Sequence, residues 1–499
     1  MSYGALLAWL VALPLAGAAL TPLVAAGAPR WAGRWALAIL VATAALAVVA
    51  VVRLDAVGPY AHAAFAFAAP YGIELRLDHV GAWILPLTVF AALVGPYAVR
   101  YAHDRLPASR HAAFFALLLA NVGGMVGFTL GADLFNLFVF MEVVALSSYA
   151  LVAVGGRGAA AFAALKYLMI GAVSSLAMLL GTGLLYAQTG VLDLRLIAER
   201  LAAASAAGAD PAPATVAFAL LATSFLVKAA LFPLHTWLPD AHAIAPGPVS
   251  AILSGLVVKI GILGMIRLYG VAYDAGVVSL AGFNLLLSVL GAIAIVMGAF
   301  FAMFQNDLKL MLAYSTVSNI GYIVLGLGLA SPYAFLGAAV HVFNHALIKM
   351  TLFLAAGALI HATGKRTLQD LQGVARTMPL TSAALAIGAV SIVGLPPTAG
   401  FVCKWYIALG AFEADRGPFG VVLIFGALFI FVYFVRMVNA LYFRPPIHDE
   451  VANAREAPWA MRGPILVLAF GCLALGVFAR LPISFVEPGV LALLPGGGP

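Results

Sequence analysis

Residues 225–261 read FLVKAALFPLHTWLPDAHAIAPGPVSAILSGLVVKIG and join two apolar segments, each containing one lysine, Lys228 and Lys259. A lysine near mid-bilayer costs about 2.5–3.5 kcal/mol on insertion scales, so it is normally kept only where a polar pathway uses it. Pro233 follows Lys228, lacks a backbone donor and should break the helix, which exposes polar backbone beside the amine. A broken membrane helix beside a titratable amine indicates an ion-conducting membrane subunit.

The composition is that of a membrane protein. The chain has 499 residues, of which 64% are hydrophobic and 9% charged, whereas soluble proteins have about 25% charged residues. We therefore predict an all-α polytopic membrane protein without a sizeable aqueous domain. The apolar run 6–25 lacks the basic start of a cleaved signal peptide, so we expect it to be retained as a span.

The sequence contains no motif for a cofactor. Its two cysteines, Cys403 and Cys472, lie in separate apolar segments, and neither a disulfide framework nor a metal motif results. CxxC, HExxH, P-loop and GxGxxG patterns are absent. We expect no protein-held redox centre, cofactor or metal, and no nucleic-acid partner.

The lysines are placed selectively. Of seven lysines, five fall inside predicted spans: Lys166, Lys228, Lys259, Lys349 and Lys404. Codon bias explains arginine replacing lysine in loops, but it does not explain why lysine persists in the bilayer. Because a desolvated lysine can lose its proton and arginine effectively cannot, the pattern indicates amines that titrate.

At about 20 apolar residues per span, the sequence predicts fourteen helices. Their ranges are 4–25, 35–53, 80–100, 111–130, 133–154, 160–187, 214–238, 244–272, 276–303, 308–330, 334–361, 380–411, 418–443 and 460–480. The amphipathic stretch 192–204 is expected to be an interfacial helix. Loops after odd-numbered helices carry most of the arginine and lysine, which places those loops in the cytoplasm and both termini outside.

Two parts of the chain have a similar pattern of predicted helices. We predict helices 1–3 in residues 1–110, a five-helix repeat in 111–272, a second in 276–443, and helix 14 with the tail in 444–499. The fourth helix of the first repeat holds Lys228 and Pro233, and that of the second holds Pro396, Pro397 and Lys404. Five is an odd number, so the second repeat must be inverted; interrupted helices in inverted halves mark many transport pathways.

Glu142 is the only carboxylate deep in a predicted span. It is either a neutral hydrogen-bonded core residue or a partner that keeps a lysine charged, and the lysine that we predict is Lys228. Lys166 lies near a helix start and either snorkels to the interface or serves the pathway. Lys259 lies in the middle of the predicted helix 244–272 and cannot reach water easily.

His341, His345 and Lys349 recur at four-residue intervals and share one helix face. Histidine titrates near neutral pH and relays protons through either ring nitrogen. A structural role and a metal site are the alternatives, but no carboxylate or cysteine is near in sequence. A second group, His235, Asp240 and His242, either lines the cytoplasmic mouth of the first half or caps helices. Asp307 and Lys309 lie at a helix boundary, as a solvated capping pair or a functional one.

Six motifs resemble an antiporter-like family shared by Mrp-type sodium/proton antiporters, respiratory complex I and membrane-bound hydrogenases. Besides residues 225–261 they are FMEVVALSSYALV (140–152), LKYLMIGAVSS (165–175), FQNDLKLMLAYSTVSNIGY (304–322), HVFNHALIKMTLFLAAG (341–357) and GLPPTAGFVCKWYI (394–407). The resemblance implies fourteen core helices with inverted repeats. Its implied site residues are the pair Glu142 and Lys228, the central relay Lys259, the bridge His341, His345 and Lys349, and the terminal Lys404.

The resemblance also narrows the choice of subfamily, because two features of other subfamilies do not match this sequence. Complex I subunits of the M-like type have glutamate at the position of Lys404, and L-like and Mrp A-type subunits extend into a long lateral helix. The Mrp D-type, the N-like complex I subunit and hydrogenase-type relatives remain. Asn319 stands where many members carry histidine, so we expect no proton relay there.

These features predict a proton-translocating subunit of a multi-subunit sodium (or potassium)/proton antiporter, similar to the Mrp D-type, in a bacterial or archaeal plasma membrane. Its partners would be other hydrophobic subunits and lipids. The alternatives are an equivalent subunit of a redox-driven pump and a passive scaffold for a catalytic partner. A stand-alone transporter of organic solutes is disfavoured, since no span contains an arginine or aromatic cluster for such a ligand.

Overall fold

The computed structural model describes residues 3–63, 67, 69–156, 158–276 and 280–494. Three residues of the ninth predicted helix, 277–279, and the end of the predicted tail, 495–499, lie outside the described residues. The elements in chain order are α1 Tyr3–Gly27, α2 Pro29–Val57, β1 Tyr60–Ala63, β2 Glu74–Leu77, α3 Gly81–Ile84, α4 Leu87–Arg105, α5 His111–Leu130, α6 Leu134–Ala153, α7 Gly158–Thr189, α8 Leu194–Ala206, α9 Ala212–Lys228, α10 Trp237–Ile244, α11 Gly247–Ile252, α12 Val258–Ala275, α13 Leu280–Met303, α14 Leu308–Gly328, α15 Pro332–Thr363, α16 Pro379–Val393, α17 Ala399–Glu413, α18 Gly417–Val438, α19 Asp449–Ala452, α20 Trp459–Val477 and α21 Arg480–Leu491.

The all-α membrane architecture is confirmed. Within the described ranges, twelve helical segments are long and apolar enough to span a membrane, and α9 and α16 are shorter apolar helices. These two are the first parts of the predicted helices 214–238 and 380–411, each of which is interrupted. Uninterrupted helices satisfy their own backbone in lipid, so an interruption is tolerated only where protein covers it.

The first interruption follows Lys228 directly. Residues 229–236 are not helical, and Pro233 lies among them. The end of α9 is closed by two hydrogen bonds, from Leu231 N to Leu226 O (3.0 Å) and from Ala230 N to Val227 O (3.0 Å), with Ala230 in the left-handed region at φ 57°. This is the Schellman pattern, and it places Lys228 at the carboxyl end of a helix.

The second interruption repeats that cap. Leu395 N donates to Val390 O (3.3 Å) and Gly394 N to Ser391 O (3.1 Å), with Gly394 at φ 91°. Pro396 and Pro397 follow before α17 begins. Lys228 precedes its interruption, whereas Lys404 follows its own, so the two lysines occupy different positions relative to the break.

A third irregularity lies between α11 and α12. Residues Leu253–Val257 form one π-helical turn, which widens the helix and leaves carbonyl groups for other donors; such turns are frequent at functional sites. Every residue from Gly247 to Ile266 is buried. It packs on α15, the long helix that also contacts α14, α16, α17 and α20.

Three elements outside the spans bear on the predictions. The predicted interfacial helix is α8, which buries Ile197, Ala198 and Leu201. The antiparallel hairpin β1–β2 and the terminal helix α21 were not predicted. Four-residue strands and a twelve-residue amphipathic helix are too short to stand out against the apolar spans.

Candidate functional site

The predicted pair Glu142 and Lys228 is brought together between α6 and α9. Lys228 Nζ lies 3.9 Å from Glu142 Oε1. Ser175 on α7 bridges the two, because its hydroxyl donates to Glu142 Oε1 and accepts from Lys228 Nζ at 3.4 Å. Tyr149 Oη also accepts from Nζ, at 3.3 Å. The lysine side chain is 8% exposed and the glutamate 27%, so the carboxylate lies at the rim of the pair.

Lys259 occupies the turn after the π-helical segment. Its Nζ donates to Ser254 O at 2.6 Å, a carbonyl within the widened turn, and lies 2.6 Å from Nδ1 of His345. Both residues are fully buried. A hydrogen bond between the amine and the imidazole joins α12 of the first predicted repeat to α15 of the second.

The other two groups of the α15 face turn to different neighbours. Lys349 donates to Leu312 O at 2.9 Å and to Ser315 Oγ, both on α14. His341 Nδ1 lies 2.9 Å from Cys403 Sγ on α17. The rings of His341 and His345 are 5.6 Å apart between centroids. The shared face predicted from the spacing therefore distributes its three groups to α12, α14 and α17.

Lys404 reaches back across the second interruption. Its Nζ donates to Ile392 O at 2.7 Å and to Val393 O at 3.2 Å, the last carbonyls of α16. It also lies 4.3 Å from the ring centroid of Tyr322. An ammonium group is favoured at the carboxyl end of a helix and over an aromatic face.

The supporting residues are more scattered. Lys166 Nζ and Asp240 Oδ2 form an ion pair at 2.6 Å in which both side chains are more than one third exposed. His235 is buried and stacks on Phe232, 5.1 Å between centroids. His242 is fully buried against Phe353. In the described part of the chain none of the three predicted mouth residues, His235, Asp240 and His242, provides a side-chain helix cap.

Asp307 and Lys309, at the start of α14, make different contacts. Asp307 caps the helix through Leu310 N at 3.0 Å and pairs with Arg366 at 2.8 Å. Lys309 is instead buried and donates to Ala245 O at 2.5 Å. A solvated pair is therefore wrong for Lys309.

Sequence reasoning missed Ser175, Tyr149, Ser254 and Cys403. All four fall inside or beside the motifs quoted above, so the motifs identified the segments but not these contacts. Among the residues that the structure describes, no cluster of three or more histidine, cysteine, aspartate or glutamate residues could hold a metal ion.

Four buried amines line this site, at Lys228, Lys259, Lys349 and Lys404. Only Lys228 has a carboxylate neighbour within 4 Å in the described ranges. The other three depend on carbonyl oxygens, a hydroxyl group and an imidazole. Neutral partners compensate a buried charge less completely than an ion does.

Comparison with known proteins identifies the family of the chain. Residues 131–430 match the family described as NADH:quinone oxidoreductase/Mrp antiporter, transmembrane. The chain is 39% identical to the N subunit of the NADH-quinone oxidoreductase of Desulforudis audaxviator, covering 90% of each chain. It is 31% identical to the D subunit of the Na(+)/H(+) antiporter of Alkalihalophilus pseudofirmus, covering 83% of this chain and 82% of the relative.

A solved structure extends the likeness over nearly the whole chain. A chain of the Mrp complex from Dietzia sp. DQ12-45-1b superimposes with a TM-score of 0.89 at 26% identity, covering 99% of this chain and 98% of that one. The matched region 131–430 contains every residue of the site described above. The chain belongs to the NADH:quinone oxidoreductase/Mrp antiporter transmembrane family.

Proposed function

We propose that this chain is a proton-translocating subunit of a multi-subunit monovalent cation/proton antiporter and that it resembles the Mrp D-type. The observation that carries the proposal is the contact of 2.6 Å between Lys259 Nζ and His345 Nδ1. It joins two titratable groups, one from each half of the chain, inside a fully buried region. A purely structural hydrogen bond there could be made by groups that do not titrate, whereas a proton relay requires groups that do. The likeness to the D subunit of an antiporter and to the Mrp complex supports the choice of complex.

The proposed route has three parts. Protons enter the first half near the ion pair of Lys166 and Asp240 and meet the pair of Glu142 and Lys228. They cross through Lys259 to the α15 face at His345 and His341. They leave past Lys404. In the described part of the chain no hydrogen bond joins Lys228 to Lys259, so that step requires a rearrangement or a water molecule.

The repeats and the orientation belong to the same proposal. Helices 4–8 and 9–13 are proposed to be inverted copies, and the repeated Schellman cap at the ends of α9 and α16, before the prolines, supports this. Both termini are proposed to face the outside of a bacterial or archaeal plasma membrane, with the other hydrophobic subunits and lipids around the chain.

A second function is favoured by one observation. The 39% identity with the N subunit of an NADH-quinone oxidoreductase, over 90% of both chains, supports an equivalent role in a redox-driven pump. The same amines would then carry protons for another energy source. Purification from the native membrane in mild detergent separates the two: small cofactor-free hydrophobic partners indicate the antiporter, and iron–sulfur or nickel subunits indicate the redox pump.

The translocation itself is tested with Lys404→Ala. We expect this variant to assemble normally and to lose proton-coupled transport in reconstituted vesicles, because no other amine contacts the end of α16 in the described ranges. Lys365→Ala is the matched control, since Lys365 pairs with Glu450 on the exposed surface. Retained transport by Lys404→Ala would overturn the assignment.

A further inference from the structure

Cys403 is a buried polar group that the proposed route does not use. It lies on α17 directly before Lys404, and both Cys403 and its neighbour His341 are fully buried. Cys403 Sγ is 2.9 Å from His341 Nδ1. It is also 3.2 Å from Gly400 O and 3.6 Å from Ala399 O. The sulfur therefore faces one imidazole nitrogen, two carbonyl oxygens and the side chain of Asn344, whose amide N–H groups can only donate to it.

The hydrogen atoms in this group can be placed by counting donors and acceptors. A thiol has one hydrogen, and the carbonyl oxygens of Gly400 and Ala399 only accept. If the thiol donates to a carbonyl, His341 Nδ1 must carry a hydrogen and donate to sulfur. Every polar hydrogen of the pair then has an acceptor, and only a lone pair on Nε2 is left over.

The opposite arrangement, in which the thiol donates to Nδ1, leaves a buried N–H group without an acceptor. If the thiol donates to Nδ1, the single hydrogen of the neutral ring moves to Nε2. That nitrogen is buried and has no hydrogen-bond partner among the described residues. A buried N–H without an acceptor is among the rarest groups in proteins, and an unpaired acceptor is tolerated more often. The contacts of Cys403 thus select one tautomer.

We propose that Cys403 is a positioning residue that holds neutral His341 as the Nδ1–H tautomer, so that the mobile proton is taken up and released at Nε2. This inference rests on the proposed function and names a residue that tunes it. The proton bonds to the Nε2 lone pair to give an imidazolium, and the same bond breaks on release. The Nδ1–H bond to sulfur is retained throughout, because the sulfur of a thiol is too weak a base to accept the proton.

The first test observes the tautomer without measuring transport. The purified complex with ¹⁵N-labelled histidine is studied by solid-state NMR, and the His341 signals are assigned by their loss in His341→Gln. We expect a protonated Nδ1 and a bare Nε2 in the neutral ring, and an infrared S–H band of a thiol bonded to carbonyl. A protonated Nε2 with a bare Nδ1 would overturn the proposal, whether or not the chain translocates protons.

The second test uses three cysteine variants. Cys403→Ser keeps a hydroxyl that can accept from Nδ1, and Cys403→Ala removes the acceptor. Cys472→Ala is the matched control. Cys472 is as buried as Cys403, but its sulfur contacts the hydroxyl of Thr351 and not His341. Without the bond to sulfur, the ratio of the Nδ1–H tautomer to the Nε2–H tautomer should fall about five-fold, which is what one ordinary hydrogen bond is worth in an equilibrium constant.

The pH profile separates positioning from structure. The charged groups around His341 are Lys404, Lys259 and Lys349, with His345 and Tyr322 beside it, and none of these changes in the cysteine variants. We expect Cys403→Ala to shift the pH profile of flux per assembled complex, and Cys403→Ser and Cys472→Ala to keep the wild-type profile. An unchanged profile in Cys403→Ala, with only the amount of complex reduced, would overturn the proposal.

Discussion

The amine of Lys259 lies 2.6 Å from the imidazole of His345, and this contact joins the helix after the π-helical turn to the long helix α15. The amine is also bound to Ser254 O, a carbonyl of that widened turn. Its two neutral partners fix its position without fixing its charge. We therefore expect this contact to pass a proton in either direction.

Replacing Lys259 should stop the relay at its centre. Lys259→Met has a similar shape and no titratable group, and Lys259→Arg keeps a charge that cannot be lost. We expect proton flux in both variants to fall by about 100-fold, the typical value of a positioned proton-transfer group. Flux in vesicles, normalised to assembled complex, is the measurement. Normal flux in Lys259→Arg would show that this amine does not need to release its proton.

Glu142 and Lys228 should be coupled in stability as well as in flux. Removing one partner of a buried ion pair leaves the other uncompensated, and since Glu142 keeps 27% of its side chain exposed we expect Glu142→Gln to cost about 1–2 kcal/mol. The double variant Glu142→Gln/Lys228→Met should recover part of that stability and none of the flux. Thermal unfolding of the purified complex and flux measurements check this.

The outcome also tests the passive scaffold. If the chain only anchored a catalytic partner, these variants would reduce the amount of assembled complex, and flux per complex would stay at the wild-type value.

The link between Asp78 and Arg267 should depend on acidic pH. Asp78 accepts from Gly81 N at 2.7 Å and from Arg267 at 3.0 Å. Burial raises the pKa of Asp78, but the Arg267 charge and the Gly81 N–H outweigh it and hold the pKa below the ordinary 3.8. A lowered pKa contributes stability that is present at neutral pH and lost as the pH falls through 3.8 towards the folded value.

Asp78→Asn should therefore be less stable than the wild type at pH 7, by about 1–3 kcal/mol, and this difference should shrink in acid below the ordinary carboxyl range. Thermal unfolding at a series of pH values is the measurement. Asp449→Asn, at an exposed position, is the control. A difference that stays constant into strong acid would contradict the linkage.

Gly261 should be intolerant of a side chain. It lies where α12 crosses the end of α9, and a Cβ there would overlap Ala229 N and Phe225 O. Because these are backbone atoms, Gly261→Ala should displace the end of α9 and cost about 1–3 kcal/mol, as overpacking generally does. Gly270→Ala is the control on the same helix, since its Cβ would meet only the flexible side chain of Leu493. Equal melting temperatures of the two variants would refute the tight crossing.

The sequence allowed the helices, both interruptions and the amines to be predicted because each has a strong local signal. Apolar runs of span length are rare in soluble chains, and a lysine or proline inside such a run stands out. The pairing of Glu142 with Lys228 followed because a deep carboxylate has few possible partners. The role of each site residue in transport stays a prediction.

The remaining details lack a local signal. Ser175 and Cys403 look like ordinary core residues until the helices are packed, and the π-helical turn at Leu253–Val257 is a change of backbone register without its own motif. The sequence left both a solvated and a functional pair open for Asp307 and Lys309, because only tertiary packing places Ala245 O over the amine of Lys309. Contacts between distant segments decide all of these cases.

The cap at the end of α16 gives Lys404 partners of a different kind from those of Lys228. Lys228 lies beside the carboxylate of Glu142, a partner whose charge can change. Lys404 is held by the carbonyls of Ile392 and Val393, whose partial charge belongs to the backbone and cannot be titrated away. We therefore expect protonation of Lys404 to depend on displacement of the end of α16, and protonation of Lys228 to depend on the charge of Glu142.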